Sequence, residues 1–238
     1  MKCWICGSEA TSGEHLPKDS TLRDLFGEVT QQKYLYHSST IRNHSGTIRR
    51  NRRMQSTNSN LVKLRVLCAR CNSAVTQPFD RAWDAFWKYL SNNEAAFKTG
   101  AHVRFCRVFG YNSRREALNL HLYVVKLFGC VAAEFSIPLD ITGMGEAIKH
   151  RRPYPNIYMG VGRRTWLTSL KMAGPSDVDS LKDDEGNCVF AVWFLTIGQW
   201  EFQFIYSVPG QKRDGLLDTW NPLQSRRIRL KTFGESGS

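Results

Sequence analysis

The chain has 238 residues, 42% of them hydrophobic and 23% charged, a globular balance that allows one sizeable core or a small domain joined to a larger one. Its formal net charge of +12, with a pI near 9.6, favours polyanionic partners through counterion release. No run of about 18 uncharged apolar residues is present, and the opening Met1-Lys2-Cys3-Trp4 has no apolar export segment, so the reading expects a cytoplasmic protein with no membrane partner.

In chain order, residues 1–18 hold a cysteine pair and a Glu-His-Leu-Pro segment, with Gly7 and Gly13 suited to tight turns. Residues 19–60 are polar and rich in Ser, Thr, Asn and Arg, and read as a long, partly flexible insertion. No acidic residue lies between Glu28 and Asp80. The Arg49, Arg50, Arg52 and Arg53 cluster, with Lys63 and Arg65, is the candidate surface for tracking phosphates. His37 and His44 in the same stretch are expected to be solvated.

Residues 61–67 alternate as a strand, with Val62, Leu64 and Val66 facing inward and Lys63 and Arg65 outward. After Pro78, which suits a first helical turn, Phe79, Trp83, Phe86, Trp87 and Leu90 form one apolar helical stripe. Composition changes over Asn92–Gly100, giving an expected division into domains 1–95 and 96–238. Beyond it, Arg115–Phe135 reads as a buried helix despite His121, Lys126 and Glu134, and Asn156–Arg163 as a strand. Two β-rich runs, Cys188–Ile197 and Trp200–Val208, flank Gly198-Gln199 as a hairpin. Trp200, Phe202, Phe204 and Tyr206 share one face of its second strand as core. The predicted class is α+β: a small zinc-knuckle domain followed by a larger mixed domain with an antiparallel sheet.

Seven cysteines, an odd number, argue against an extracellular disulfide framework. Cys106, Cys130 and Cys188 stand singly and read as small core residues. The other four form Cys3-x-x-Cys6 and Cys68-x-x-Cys71. Each tight turn offers two sulfurs to one ion, and two turns complete the closed tetrahedron of structural Zn²⁺. Such a site has no open coordination position, so chemistry must come from what the metal holds together. Nearby stand Glu14-His15 and, directly after the last cysteine, Asn72. Asp80, at a helix start, either reaches that site or offsets the helix dipole. Asn72 is also a candidate helix N-cap.

The order C-x-x-C, acidic-His, C-x-x-C-Asn resembles the HNH (ββα-metal) endonucleases, in particular their zinc-stabilised branch typified by the phage recombination endonuclease VII. The resemblance covers residues 1–95 and implies a treble-clef or ββα-metal fold. It implies His15 as the general base that activates water against a phosphodiester, an imidazole being suited by a pKa near working pH. It implies Glu14 and Asn72 as oxygen ligands of a catalytic Mg²⁺ or Mn²⁺. The implied substrate is double-stranded DNA, with a bacterial restriction or phage-defence role, and a homodimer is compatible with this reading. The alternative from another class is a treble-clef zinc module that binds nucleic acid without cutting it. A redox role for the C-x-x-C pairs is the third reading.

Overall fold

The computed structural model describes residues 1–43, 46–164, 171–211, 216 and 218–234; for 39–43 and 46–50 it describes the backbone alone. His44 lies outside the described residues. The chain is a mixed α+β protein. Its elements are β1 (Ser12–His15), α1 (Asp19–Phe26), β2 (Leu35–Asn43), β3 (Gly46–Met54), β4 (Lys63–Leu67), α2 (Gln77–Asn92), β5 (His102–Arg104), α3 (Phe105–Phe109), α4 (Ser113–Glu134), α5 (Ile141–Lys149), β6 (Ile157–Arg164), β7 (Ala173–Pro175), β8 (Asp179–Lys182), β9 (Cys188–Ile197), β10 (Trp200–Ser207) and β11 (Arg227–Phe233).

Residues 19–60 depart from the expected flexible insertion, since they form α1 and an antiparallel β2–β3 hairpin. The register pairs Leu35 with Met54 and Ile41 with Ile48, so few apolar residues mark the strands and the ladder rests mainly on backbone hydrogen bonds. The strand expected at 61–67 begins at Lys63, because Asn60–Val62 closes a 3-10 turn whose start Ser59 caps through its hydroxyl.

The expected later elements are present within a residue or two. The α2 stripe Phe79, Trp83, Phe86, Trp87 and Leu90 is buried. It packs on α4: Trp83 stacks on Tyr123 at 4.8 Å between ring centroids, and also meets Phe202 of β10 at 4.9 Å. On α4, Phe128 meets Trp193 of β9. Helices α2 and α4 therefore both pack on the large sheet. Each fully buried large side chain of this kind contributes about 1.5–3 kcal/mol. The apolar stretch Phe105–Glu134 is long enough to cross a membrane, but 83% of its most apolar window is buried inside the protein.

The large sheet has seven strands, β5-β11-β6-β10-β9-β7 with β8 also on β9. All its pairings are antiparallel except β11 with β6. Trp200, Phe202, Phe204 and Tyr206 are buried, as expected. Cys130 and Cys188 are core residues, but Cys106 is exposed, because the short α3 turns it outward. The stretch expected as a boundary holds the 3-10 turn Glu94–Ala96. Packing does not stop there, since one hydrophobic core runs from Cys3 to Leu230.

Candidate functional site

Strand β1 pairs with β4, and β4 leads through Cys68 into a wide turn, Cys71–Val75, and then α2. This hairpin-then-helix unit carries both cysteine pairs. The first pair is a knuckle: Gly7 N–H donates to Cys3 O at 2.8 Å, and Trp4 N–H donates to Val66 O of β4 at 3.3 Å. Gly7 has φ +77°, a conformation that favours glycine. The sulfurs of Cys3, Cys6, Cys68 and Cys71 lie within 4.8 Å of one another. A tetrahedral Zn²⁺ with 2.3 Å bonds would need sulfurs about 3.8 Å apart, and Cys6 and Cys68 are at 3.6 Å. The four thiols can hold a metal ion such as zinc. Hydrogen bonds from Ser8 lower the Cys6 thiol pKa to about 6, while burial raises that of Cys71.

The cluster's second effect is positional. A cavity of about 270 Å³ is lined by Gly13, Glu14, His15, Lys18, Asn72, Asp80 and Asp84, among others. Glu14, His15 and Asn72, singled out by the sequence, thus share one cavity. At Gly13 a Cβ would sit 3.0 Å from Lys63 Cβ, so the residue lets β1 approach β4 closely.

His15 is half-buried, and its Nε2 lies 2.9 Å from Asn58 Oδ1. An amide oxygen accepts, so Nε2 carries the proton and Nδ1 keeps the lone pair. Burial, and then the Lys63 charge, lower the imidazole pKa, favouring the neutral form a base requires.

Asn72 is not a helix cap. It lies inside the wide turn, and Thr76 occupies the N-cap position of α2. Its Nδ2 donates to Ser12 Oγ at 2.9 Å and to Gly13 O at 3.1 Å, tying the turn to β1.

Glu14 does not stand open for a cation. It is buried, and its Oε1 is 2.9 Å from the ammonium of Lys126, a residue of α4 with no exposed side-chain surface. The same ammonium donates to Asp80 Oδ1 at 2.6 Å, so Asp80 is tied to a side chain rather than answering the helix dipole alone. Burial by itself would lower the Lys126 pKa; the charges of Glu14 and Asp80 outweigh it and hold the ammonium protonated. Two carboxylates share that one charge, and burial raises the Glu14 carboxyl against the pull of Lys126. Of the expected Mg²⁺ or Mn²⁺ ligand pair, Glu14 is therefore already matched to an ammonium. Asn72 braces the strand through its Nδ2 alone.

Lys18, Asp19, Ser20, Arg23, Asp84, Asn58 and Lys126 complete the site, and sequence reasoning assigns none of the seven to it. Lys18 Nζ bonds Asp84 at 2.6 Å and the Asp80 carbonyl at 2.9 Å, and Ser20 Oγ donates to Asp84 at 2.8 Å. The available signal was Lys126 itself: a lone lysine inside an apolar helix must find a buried anion. Of the candidate phosphate-contacting residues, Arg52, Arg53 and Arg65 are exposed and Lys63 is half-buried. Arg49 and Arg50 lie on β3 with their side chains outside the described residues. Arg53 also stacks over the Tyr34 ring at 4.5 Å. His37 is half-buried, and burial lowers its pKa, so it is less solvated than expected. Comparison with protein-family models, curated proteins and solved structures found no match to the chain.

Proposed function

We propose that the chain is an HNH-type endonuclease that hydrolyses phosphodiester bonds in DNA, built on a zinc-braced treble-clef or ββα unit. One observation carries this reading: Glu14, His15 and Asn72 line a single cavity beside a four-thiolate cluster. In this reading the metal at the cysteines does no chemistry. It fixes the turn bearing Asn72 against the strand bearing His15. His15 Nδ1 takes a proton from water, the water oxygen forms a bond to phosphorus, and the ester P–O bond breaks. The departing oxygen leaves with a proton from solvent. The arginines of β3 track the backbone. Restriction or phage defence is the role such a nuclease would suit.

The test is nicking of supercoiled plasmid by the zinc-loaded chain. His15→Ala is expected to lower the rate by about 10²–10⁴-fold, the usual contribution of a general base, with zinc content and DNA affinity unchanged. Cutting that survives this change would refute the assignment.

A second reading is favoured by the bonds Asn72 and Glu14 already make, which also suit a purely structural role. In it the chain binds nucleic acid and does not cut. DNA binding without nicking by the wild type decides for it.

A further inference from the structure

We propose that Lys126 is the resident cation of this site: its ammonium fills the place between Glu14 and Asp80 and keeps a divalent ion from binding at Glu14. The occupancy rests on geometry; its consequence for cutting rests on the nuclease reading.

The ammonium is 2.9 Å from Glu14 Oε1 and 2.6 Å from Asp80 Oδ1. Mg²⁺ demands oxygens at about 2.0–2.1 Å in near-octahedral array. An ion at Glu14 would therefore stand beside a buried positive charge and be repelled by it. Lys126 is wholly buried on α4 and close to the Tyr123 ring, so moving its ammonium away would leave both Glu14 and Asp80 without their cationic partner. A second ammonium guards the other side, with Lys18 Nζ bonded to the Asp80 carbonyl and to Asp84. Every carboxylate lining the cavity has a cationic partner: Glu14 and Asp80 with Lys126, Asp84 with Lys18, and Asp19 with Arg23.

Lys126 acts through the two carboxylates and is a positioning residue. It holds Glu14 at the end of β1, next to His15, without requiring an ion from solution. Hydrolysis at this site then proceeds on His15, with no divalent ion bound at Glu14.

The experiment is a titration of the zinc-loaded full-length chain with Mn²⁺, read by electron paramagnetic resonance of the free ion. Wild type is expected to take up no Mn²⁺ that Glu14→Gln removes. An uptake equal in wild type and Glu14→Gln lies elsewhere and supports the proposal. Lys126→Met, which keeps the length and deletes the charge, is expected to gain a site at least tenfold tighter than any in wild type. Stoichiometric Mn²⁺ uptake by wild type that Glu14→Gln abolishes would overturn it. That comparison decides the matter even if Lys126→Met does not fold. In the cutting arm, nicking in chelator-treated buffer, with retained zinc verified, is expected within twofold of nicking in Mg²⁺; an absolute Mg²⁺ requirement also overturns the proposal. Absence of nicking under both conditions refutes the nuclease reading, while the Mn²⁺ result still decides the place of Lys126.

Discussion

His15 and Asn58 meet across the site at 2.9 Å, a contact between the end of β1 and the turn that precedes β4. The contact fixes the ring and its tautomer together, because the amide oxygen can only accept.

The pH profile of nicking follows from that contact. The base must be neutral, and burial with the Lys63 charge lowers its pKa below the ordinary 6.5. The rate therefore rises with pH along a limb centred below 6.5 and is level by pH 7. Asn58→Asp places a carboxylate on the ring and should raise that pKa by about 1–3 units. The limb then moves upward, cutting at pH 6.5 falls, and cutting at pH 8.5 largely survives. Asn58→Ala removes a bond that raises the pKa and should move the limb the other way. Initial rates from pH 5 to 9 for the three proteins check this, and a limb that ignores both changes argues against His15 as the base.

Metal removal gives a second prediction. Cys3, Cys68 and Cys71 are buried and sit in the same core as Leu67 and Phe79. Stripping the ion leaves thiols crowded together with no bond between them, and the binding energy of such an ion is folding energy. One zinc per chain is expected by elemental analysis. Its release by a mercurial reagent, or Cys68→Ser, should lower the thermal midpoint by 10 °C or more, since a loss of about 1 kcal/mol alone moves a chain of 150–250 residues by roughly 2–4 °C. Unchanged melting in a metal-free protein would show that the sulfurs do not brace the fold.

What the sequence disclosed and what it hid divides along physical lines. The four cysteines were legible because two-residue spacing is itself the geometry of a metal knuckle, and α2 because its aromatic stripe has helical period. Glu14, His15 and Asn72 were legible only relative to those cysteines. Lys126 signalled the need for a buried anion but not which one, because its partners lie on β1 and at the start of α2, and no local pattern joins them. The β2–β3 hairpin was hidden for another reason. Its strands carry Arg, Ser, Thr and Asn where an amphipathic strand would alternate, so a ladder of backbone bonds looked like loop. Gly129 was equally silent: it lies under Trp4, whose ring would be 2.4 Å from an added Cβ, and so lets α4 seat the first knuckle.

The hairpin's chemistry supplies the last prediction. Arg53 pairs in register with Tyr36 and lies over the Tyr34 ring, and Arg52 pairs with His37; both arginines are exposed. Among the described residues Arg52 and Arg53 make no ion pair, so their charges are available to phosphates. Each phosphate contact adds about 0.9 to the slope of log affinity against log salt on duplex DNA. Replacing both by Gln should flatten that slope by roughly 2, and weaken binding about equally for unrelated sequences. Base-reading side chains would instead lose discrimination between sequences, with a smaller change in salt slope. Fluorescence anisotropy with two unrelated duplexes across a salt series separates these outcomes. A slope unmoved by the double change would place the DNA on another face of the protein.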